Sequence, residues 1–93
     1  MRKRKPHTTI DRHIGRRIRE RRTLLGMSQR ELAQLLGVEP PMLSRYEIAD
    51  TTVTASRLYE IARILRSSPE YFFEGFDDHH SMEFSARQRL LLS

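Results

Sequence analysis

The chain has 93 residues, enough for one small domain but not for two of ordinary size. Cysteine is absent, which excludes both a disulfide framework and a thiolate metal site. No apolar run approaches the roughly 18 residues of a membrane-spanning helix, so we expect no membrane contact. The basic residues 1–5 are not followed by the apolar segment of a signal peptide, and we therefore expect a cytoplasmic protein.

Positive charge is concentrated near the start of the chain. Residues 1–30 carry 11 basic and 2 acidic groups, a net charge of +9, whereas residues 31–93 carry 6 basic and 10 acidic groups, a net charge of −4. Arginine outnumbers lysine 15 to 2, and guanidinium groups pair well with phosphate oxygens. This asymmetry favours a polyanion bound by the first third of the chain. The alternative is that the arginines only form a solvated helix face.

The first half of the chain contains clear signals of helix boundaries. Residues 1–9 are basic, and we predict a disordered arm. The sequence from Ser28 to Glu31 has the Ser-x-x-Glu pattern of a capping box and predicts the start of a second helix. Glycines that can take a left-handed conformation end the first and second helices, at Gly26 and Gly37. Apolar residues recur at helical spacing in the first helix, at Ile10, Ile14, Ile18 and Leu25.

Three further helices are predicted in the second half. Proline is tolerated in a first turn, so Pro40 and Pro41 open the third helix. Thr54 is a suitable N-cap for the fourth, and residues 68–70 begin a short fifth that Gly75 closes. No strand pattern competes, and we predict an all-α domain of five helices over residues 10–75.

The remaining segment, residues 76–93, is predicted to be a polar loop followed by a short tail or helix. Asp77 to His80 is interpreted as a hydrophilic loop rather than a metal site, because adjacent ligands in a loop have no preset geometry. We therefore expect neither a metal nor a cofactor. The apolar run from Leu90 to Leu92 is interpreted in three ways: as a frayed tail, as a site for a protein partner, or as part of a dimer contact.

Residues 28–48 carry the functional signal. Two short helices joined by a turn that contains Gly37 are the arrangement of a DNA-binding helix-turn-helix. Ala33 lies where the two helices cross closely, and Leu43 fills the angle between them. The ordered set Gln29, Ala33, Gly37, Leu43 and Glu47 is specific in combination.

The sequence resembles the lambda-repressor-like, Cro/cI-type (XRE) helix-turn-helix domains. The resemblance covers about residues 10–75 and is carried by the runs Ile14–Arg22, Gly26–Ala33, Leu36–Val38, Leu43–Glu47, Ala55–Ala62 and Ser68–Gly75. It implies a five-helix, nucleoid-associated transcriptional regulator, a repressor that binds duplex DNA as a homodimer. The helix at about residues 39–47 would lie in the major groove, and the helix at about 28–36 would cross the backbone.

The resemblance also implies roles for particular residues. Gln29 matches a phosphate-contacting position, and Arg22 and Glu47 match a buried ion pair. Positions that read bases in relatives correspond to Pro40, Pro41, Ser44 and Arg45, and further DNA contacts are expected from the basic residues Arg16, Arg17 and Arg30.

Two departures from the family pattern affect this interpretation. Proline has no side-chain donor or acceptor, so Pro40 and Pro41 cannot read a hydrogen-bond pattern, although proline can touch a thymine methyl. Relatives usually have glycine after the third helix, where this chain has Ile48-Ala49-Asp50.

The alternative function is a protein-interaction or antitoxin-like adaptor that keeps the fold and binds DNA weakly. An enzyme is not expected, because no catalytic set of side chains lies on a plausible rigid site.

Overall fold

A computed structural model describes residues 9–76. Within this range the chain forms four α-helices, α1 (Thr9–Leu24), α2 (Gln29–Leu36), α3 (Pro40–Glu47) and α4 (Ala55–Ile64), followed by a 3₁₀ helix (Pro69–Phe73). Thr9 was predicted to belong to the arm but is the first residue of α1. The rest of the predicted arm, the Asp77–His80 loop and the Leu90–Leu92 run lie outside the described residues.

The predicted count of five α-helices is not confirmed, because residues 9–76 contain four. The fifth predicted helix is the 3₁₀ helix, in which Tyr71 N–H donates to the Ser68 carbonyl at 3.0 Å and Glu74 N–H to the Tyr71 carbonyl at 3.3 Å. The segment is five residues long, begins at Pro69 and has no side-chain cap. So short a segment forms few i→i−4 bonds, and the tighter i→i−3 pattern is favoured.

Every helix contributes a fully buried side chain to one core. The largest are Phe72, Ile18, Leu32, Leu43, Ile61 and Leu65. α2 and α3 pack against each other across their turn, α4 packs on α2, and the 3₁₀ helix closes the core against α1. The apolar pattern of the first helix includes Leu25, but α1 ends at Leu24 and Leu25 is 41% exposed.

Side chains cap the starts of α2 and α4 as the sequence predicts. Glu31 N–H donates to Ser28 Oγ at 3.0 Å, and Ser28 N–H donates to Glu31 Oε1 at 2.7 Å, which confirms the capping box. Thr54 Oγ1 accepts from Arg57 N–H at 3.2 Å. Such caps each contribute about 0.5–2 kcal/mol.

Each α-helix is followed by a residue with positive φ. These residues are Gly26, Gly37, Ala49 and Arg66, with φ of 71°, 79°, 64° and 56°. After α3, Ala49 N–H donates to the Tyr46 carbonyl at 3.2 Å and Asp50 N–H donates to the Arg45 carbonyl at 2.8 Å. Ala49 therefore ends the helix with the hydrogen bonds of a Schellman motif, in place of the glycine usual in relatives.

α1 and α3 meet through their backbones at Gly15. A Cβ atom on residue 15 would lie 2.5 Å from the Glu47 carbonyl oxygen and 2.6 Å from that of Tyr46. Real Cβ atoms essentially never come so close, so any side chain here would push the end of α3 away from α1.

The variant Gly15→Ala tests this contact. We expect it to lower the free energy of unfolding by at least the 1–3 kcal/mol that is typical of overpacking, because backbone atoms cannot move aside as side chains do. Gly26→Ala is the control, since its Cβ would enter open space and only its positive φ is unfavourable. Urea unfolding measures both, and a Gly15→Ala loss no larger than that of Gly26→Ala would contradict the argument.

Candidate nucleic-acid interface

The end of α3 is held by an ion pair between Arg22 and Glu47. Arg22 Nε lies 2.6 Å from Glu47 Oε2 and Nη2 lies 3.1 Å from Oε1, so the pair is bidentate. The side chains are only 11% and 2% exposed. Arg22 Nη1 also donates to the Met27 carbonyl at 2.8 Å, which ties the α1–α2 turn to the same guanidinium.

Gln29 joins this network from the first residue of α2. Its Nε2 donates to Glu47 Oε1 at 2.9 Å. A glutamine amide has two N–H donors and a carbonyl acceptor, so this bond leaves one donor available for the phosphate that sequence reasoning assigned to it. The Glu47 carboxylate therefore fixes the start of α2 relative to the end of α3.

Side chains expected to read bases lie on the outer side of α3. Pro41 and Arg45 are exposed, while Pro40 and Ser44 are half-buried. The Arg45 side chain forms no hydrogen bond or ion pair with another described residue, so its guanidinium donors remain available. Leu43, Tyr46 and Glu47, on the inner side, are buried.

The inner side of α3 is also joined to α4. The Arg57 guanidinium interacts with the Tyr46 side chain, and this neighbour is the main cause that raises the pKa of Arg57 above its ordinary value.

Two of the other basic residues predicted to contact DNA differ in their surroundings. Arg30 is exposed and has no partner among the described residues. The Arg16 side chain is 59% exposed, but its Nη2 lies 2.9 Å from His13 Nδ1 and its Nε lies 4.0 Å from Glu20 Oε2. Arg16 remains accessible to a phosphate, whereas Arg30 has the less constrained side chain.

Arg17 packs against the 3₁₀ helix. Its guanidinium carbon lies 3.8 Å from the centre of the Tyr71 ring, its Nε donates to the Tyr71 carbonyl at 3.0 Å, and its Nη2 pairs with Glu74 at 3.3 Å. The side chain is 20% exposed. These contacts occupy two of its three guanidinium nitrogens in joining α1 to the 3₁₀ helix, although the sequence groups Arg17 with the DNA contacts.

Two structural residues were not identified from the sequence. Arg21 donates from Nε to the Leu65 carbonyl at 2.9 Å and from Nη2 to the Arg66 carbonyl at 3.0 Å, so it caps the end of α4. His13 is 6% exposed, and its Nε2 lies 2.6 Å from the Glu74 carbonyl oxygen. Both residues hold partners at least 44 positions away, which no local pattern could have revealed.

The family model described as Helix-turn-helix matches residues 18–72. That span covers more than half of the chain, and it contains both motif helices and the Glu47 network. The chain belongs to this helix-turn-helix family. The resemblance to lambda-repressor-like, Cro/cI-type domains is thereby confirmed.

Individual helix-turn-helix proteins agree with this assignment. An uncharacterized HTH-type transcriptional regulator of Sinorhizobium medicae is 47% identical over 72 residues, which cover 77% of this chain and 51% of the relative. The restriction-modification controller protein C.AhdI of Aeromonas hydrophila has a TM-score of 0.64 at 31% identity, and the P22 c2 repressor in complex with a synthetic operator has 0.61 at 32%. Both matches cover 67% of this chain and 94% of the solved one.

The helix-turn-helix chain spans about half the length of the first curated relatives it matches. None of the helices in residues 9–76 has the length and apolarity needed to cross a bilayer. The same residues contain no cluster of three or more His, Cys, Asp or Glu side chains placed to hold a metal ion.

Glu47→Ala tests the ion pair. We expect a loss of about 3–5 kcal/mol in the free energy of unfolding, because the Arg22 guanidinium would stay buried without its partner. Glu60→Ala is the matched control: its partner Arg57 lies 2.9 Å away, but the two side chains are 32% and 55% exposed. Exposed pairs typically contribute only about 0.2–1 kcal/mol.

A double-mutant cycle with Arg22→Ala, Glu47→Ala and the double variant Arg22→Ala/Glu47→Ala measures the interaction energy between the two side chains. Urea unfolding should show a loss well below the sum of the two single losses, because no charge is left unpaired. Additive losses would mean that the two side chains stabilise the protein independently.

Proposed function

We propose that this protein is a sequence-specific, double-stranded DNA-binding transcriptional regulator that acts as a dimeric repressor, with α3 in the major groove. The observation that carries the proposal is the position of Arg45, an exposed cation on a helix fixed from its inner side, whose side chain has no partner within residues 9–76. Family membership adds to it, since the curated relatives are described as HTH-type transcriptional regulators and a solved neighbour holds an operator.

Arg45 and Pro41 have complementary chemistry for reading a major groove. A guanidinium can bind O6 and N7 of guanine through two hydrogen bonds. Pro41 is one helical turn earlier and exposed, and its ring can contact the 5-methyl group of thymine. Ser44 can donate to or accept from a base edge. We therefore expect a guanine near a thymine in each half-site, with DNA shape adding to the selectivity.

Backbone contacts would come from the first turn of α2. Gln29, held against Glu47, has a remaining amide donor for a phosphate, and the exposed Arg30 follows it directly. Phosphate contacts set the position and orientation of the protein, whereas base contacts specify the sequence. Arg16 is a further candidate for a contact with the DNA backbone. Arg17 contributes indirectly, because its contacts hold the 3₁₀ helix against α1.

Selection from a random pool of duplex DNA at near-physiological salt tests this function. Two-fold sites with half-sites roughly 34 Å apart are expected for a dimer of this fold. An enriched single half-site would leave specific recognition intact and contradict the dimer. Binding without enrichment that disappears as salt rises would favour the adaptor function, because only phosphate attraction would remain.

Arginine variants distinguish base readout from phosphate contact on the selected site. Arg45→Ala should weaken binding by about 1–3 kcal/mol and relax the preference at one guanine. Arg30→Ala should weaken all sites alike and reduce the salt slope by about 1. Arg63→Ala, an exposed arginine on α4, is the control and should change neither quantity.

Titrations at several salt concentrations measure both effects. Equal losses on selected and scrambled DNA for Arg45→Ala would contradict base readout by α3. If Arg63→Ala weakened binding as much as Arg45→Ala does, the binding surface would lie on α4 instead.

A further inference from the structure

An apolar groove lies between α2 and α4, on residues that the proposed DNA contact does not use. Its volume is about 670 Å³, and its lining includes Leu35, Leu36, Tyr59, Ile64, Glu60 and Arg63. Two of these side chains are unusually open to solvent for apolar residues, since Leu35 is 62% and Tyr59 55% exposed. Covering such groups is favourable at about 25 cal/mol per Å² of apolar surface.

A second cavity, nearer the end of the described chain, shares a lining residue with the groove. Tyr59 also lines a second cavity of about 430 Å³ together with Phe73, the last residue of the 3₁₀ helix. Phe73 precedes Phe76, the last described residue, by three positions. The segment that follows Phe76 therefore begins close to a cavity that shares Tyr59 with the groove.

The segment beyond Phe76 has the length and composition to cover this surface. Thirteen residues, 77–89, separate Phe76 from three consecutive leucines, Leu90 to Leu92. Such a linker reaches about 43 Å when fully extended and has a typical span of about 20 Å when flexible. The 10 residues of α4 extend over only about 15 Å, so the leucines can reach any part of the groove.

We propose that Leu90–Leu92 bind within the same chain in the groove between α2 and α4. Apolar complementarity supports this occupant, because three consecutive leucines can cover the exposed Leu35 and Tyr59 side chains. Attachment through a linker of this length gives an effective concentration in roughly the millimolar range, so weak intrinsic affinity is enough for occupancy.

Groove binding leaves the proposed reading helix uncovered. Leu35 follows Gln29 by six residues, which places it about 9 Å further along the axis of α2. The tail and the DNA contact therefore use different ends of α2. Binding of the tail in the groove therefore does not depend on DNA binding.

A spin label at the end of the full chain tests the proposal. The sequence has no cysteine, so Ser93→Cys provides a single attachment point. In ¹⁵N-labelled protein, the amide signals of Leu35, Tyr59 and Ile64 should lose most of their intensity when the nitroxide is oxidised. The amide signals of Ser44 and Arg45 on α3 should keep theirs. The proposal would be overturned if the groove amides had the same intensities with the nitroxide oxidised as with it reduced.

A mixed sample separates binding within one chain from binding between two chains. Spin-labelled protein without ¹⁵N is mixed with ¹⁵N-labelled protein without the spin label. No intensity loss is expected in this sample. The proposal would be overturned if the groove amides lost intensity in the mixed sample but kept it in a dilute sample of the chain that carries both labels. The groove would then bind the tail of a second copy.

Serine variants of exposed leucines identify the contact in the Ser93→Cys protein. Leu35→Ser in the groove and Leu91→Ser in the tail should each restore the lost intensities. Leu24→Ser is the matched control, because Leu24 is 72% exposed at the end of α1 and lines none of these cavities. Unchanged losses in both Leu35→Ser and Leu91→Ser would overturn the proposal.

Discussion

The burial of one carboxylate constrains much of this domain. Glu47 is the last residue of α3, and an unpaired charge at its position would be strongly unfavourable. Its oxygens are satisfied by the Arg22 guanidinium and the Gln29 amide, which come from α1 and α2. Three helices can therefore satisfy the carboxylate only in one relative arrangement, and that arrangement leaves the side chain of Arg45 exposed.

Most of the fold could be predicted from the sequence because its boundary signals are local. The capping pair at Ser28 and Glu31 and the turns at Gly26 and Gly37 depend on neighbours within five residues. The left-handed turn after α3 could not be predicted in this way, because it lies at Ala49 and this conformation is unusual for alanine. The 3₁₀ helix was predicted as a helix, but its type depends on length and packing.

The arginines of α1 show where sequence reasoning about the candidate site is incomplete. Composition treats them as equivalent positive charges, yet Arg17, Arg21 and Arg22 bind carbonyl and carboxylate groups of distant segments. These partners are 25 to 57 residues away, so the assignment requires the folded chain. The net charge of the first third is thus an upper limit on the charge available to a polyanion.

The contact at Gly15 has a consequence for how such a domain can diversify. Because backbone atoms of α1 and α3 meet there, no side chain separates the two helices at this point. The outward positions of α3 are chemically separate from this junction and from Glu47. Mutation at positions 40, 41, 44 and 45 can therefore change the exposed surface while the support beneath it is inherited unchanged. A lineage could acquire new binding preferences without first finding compensating changes in its core.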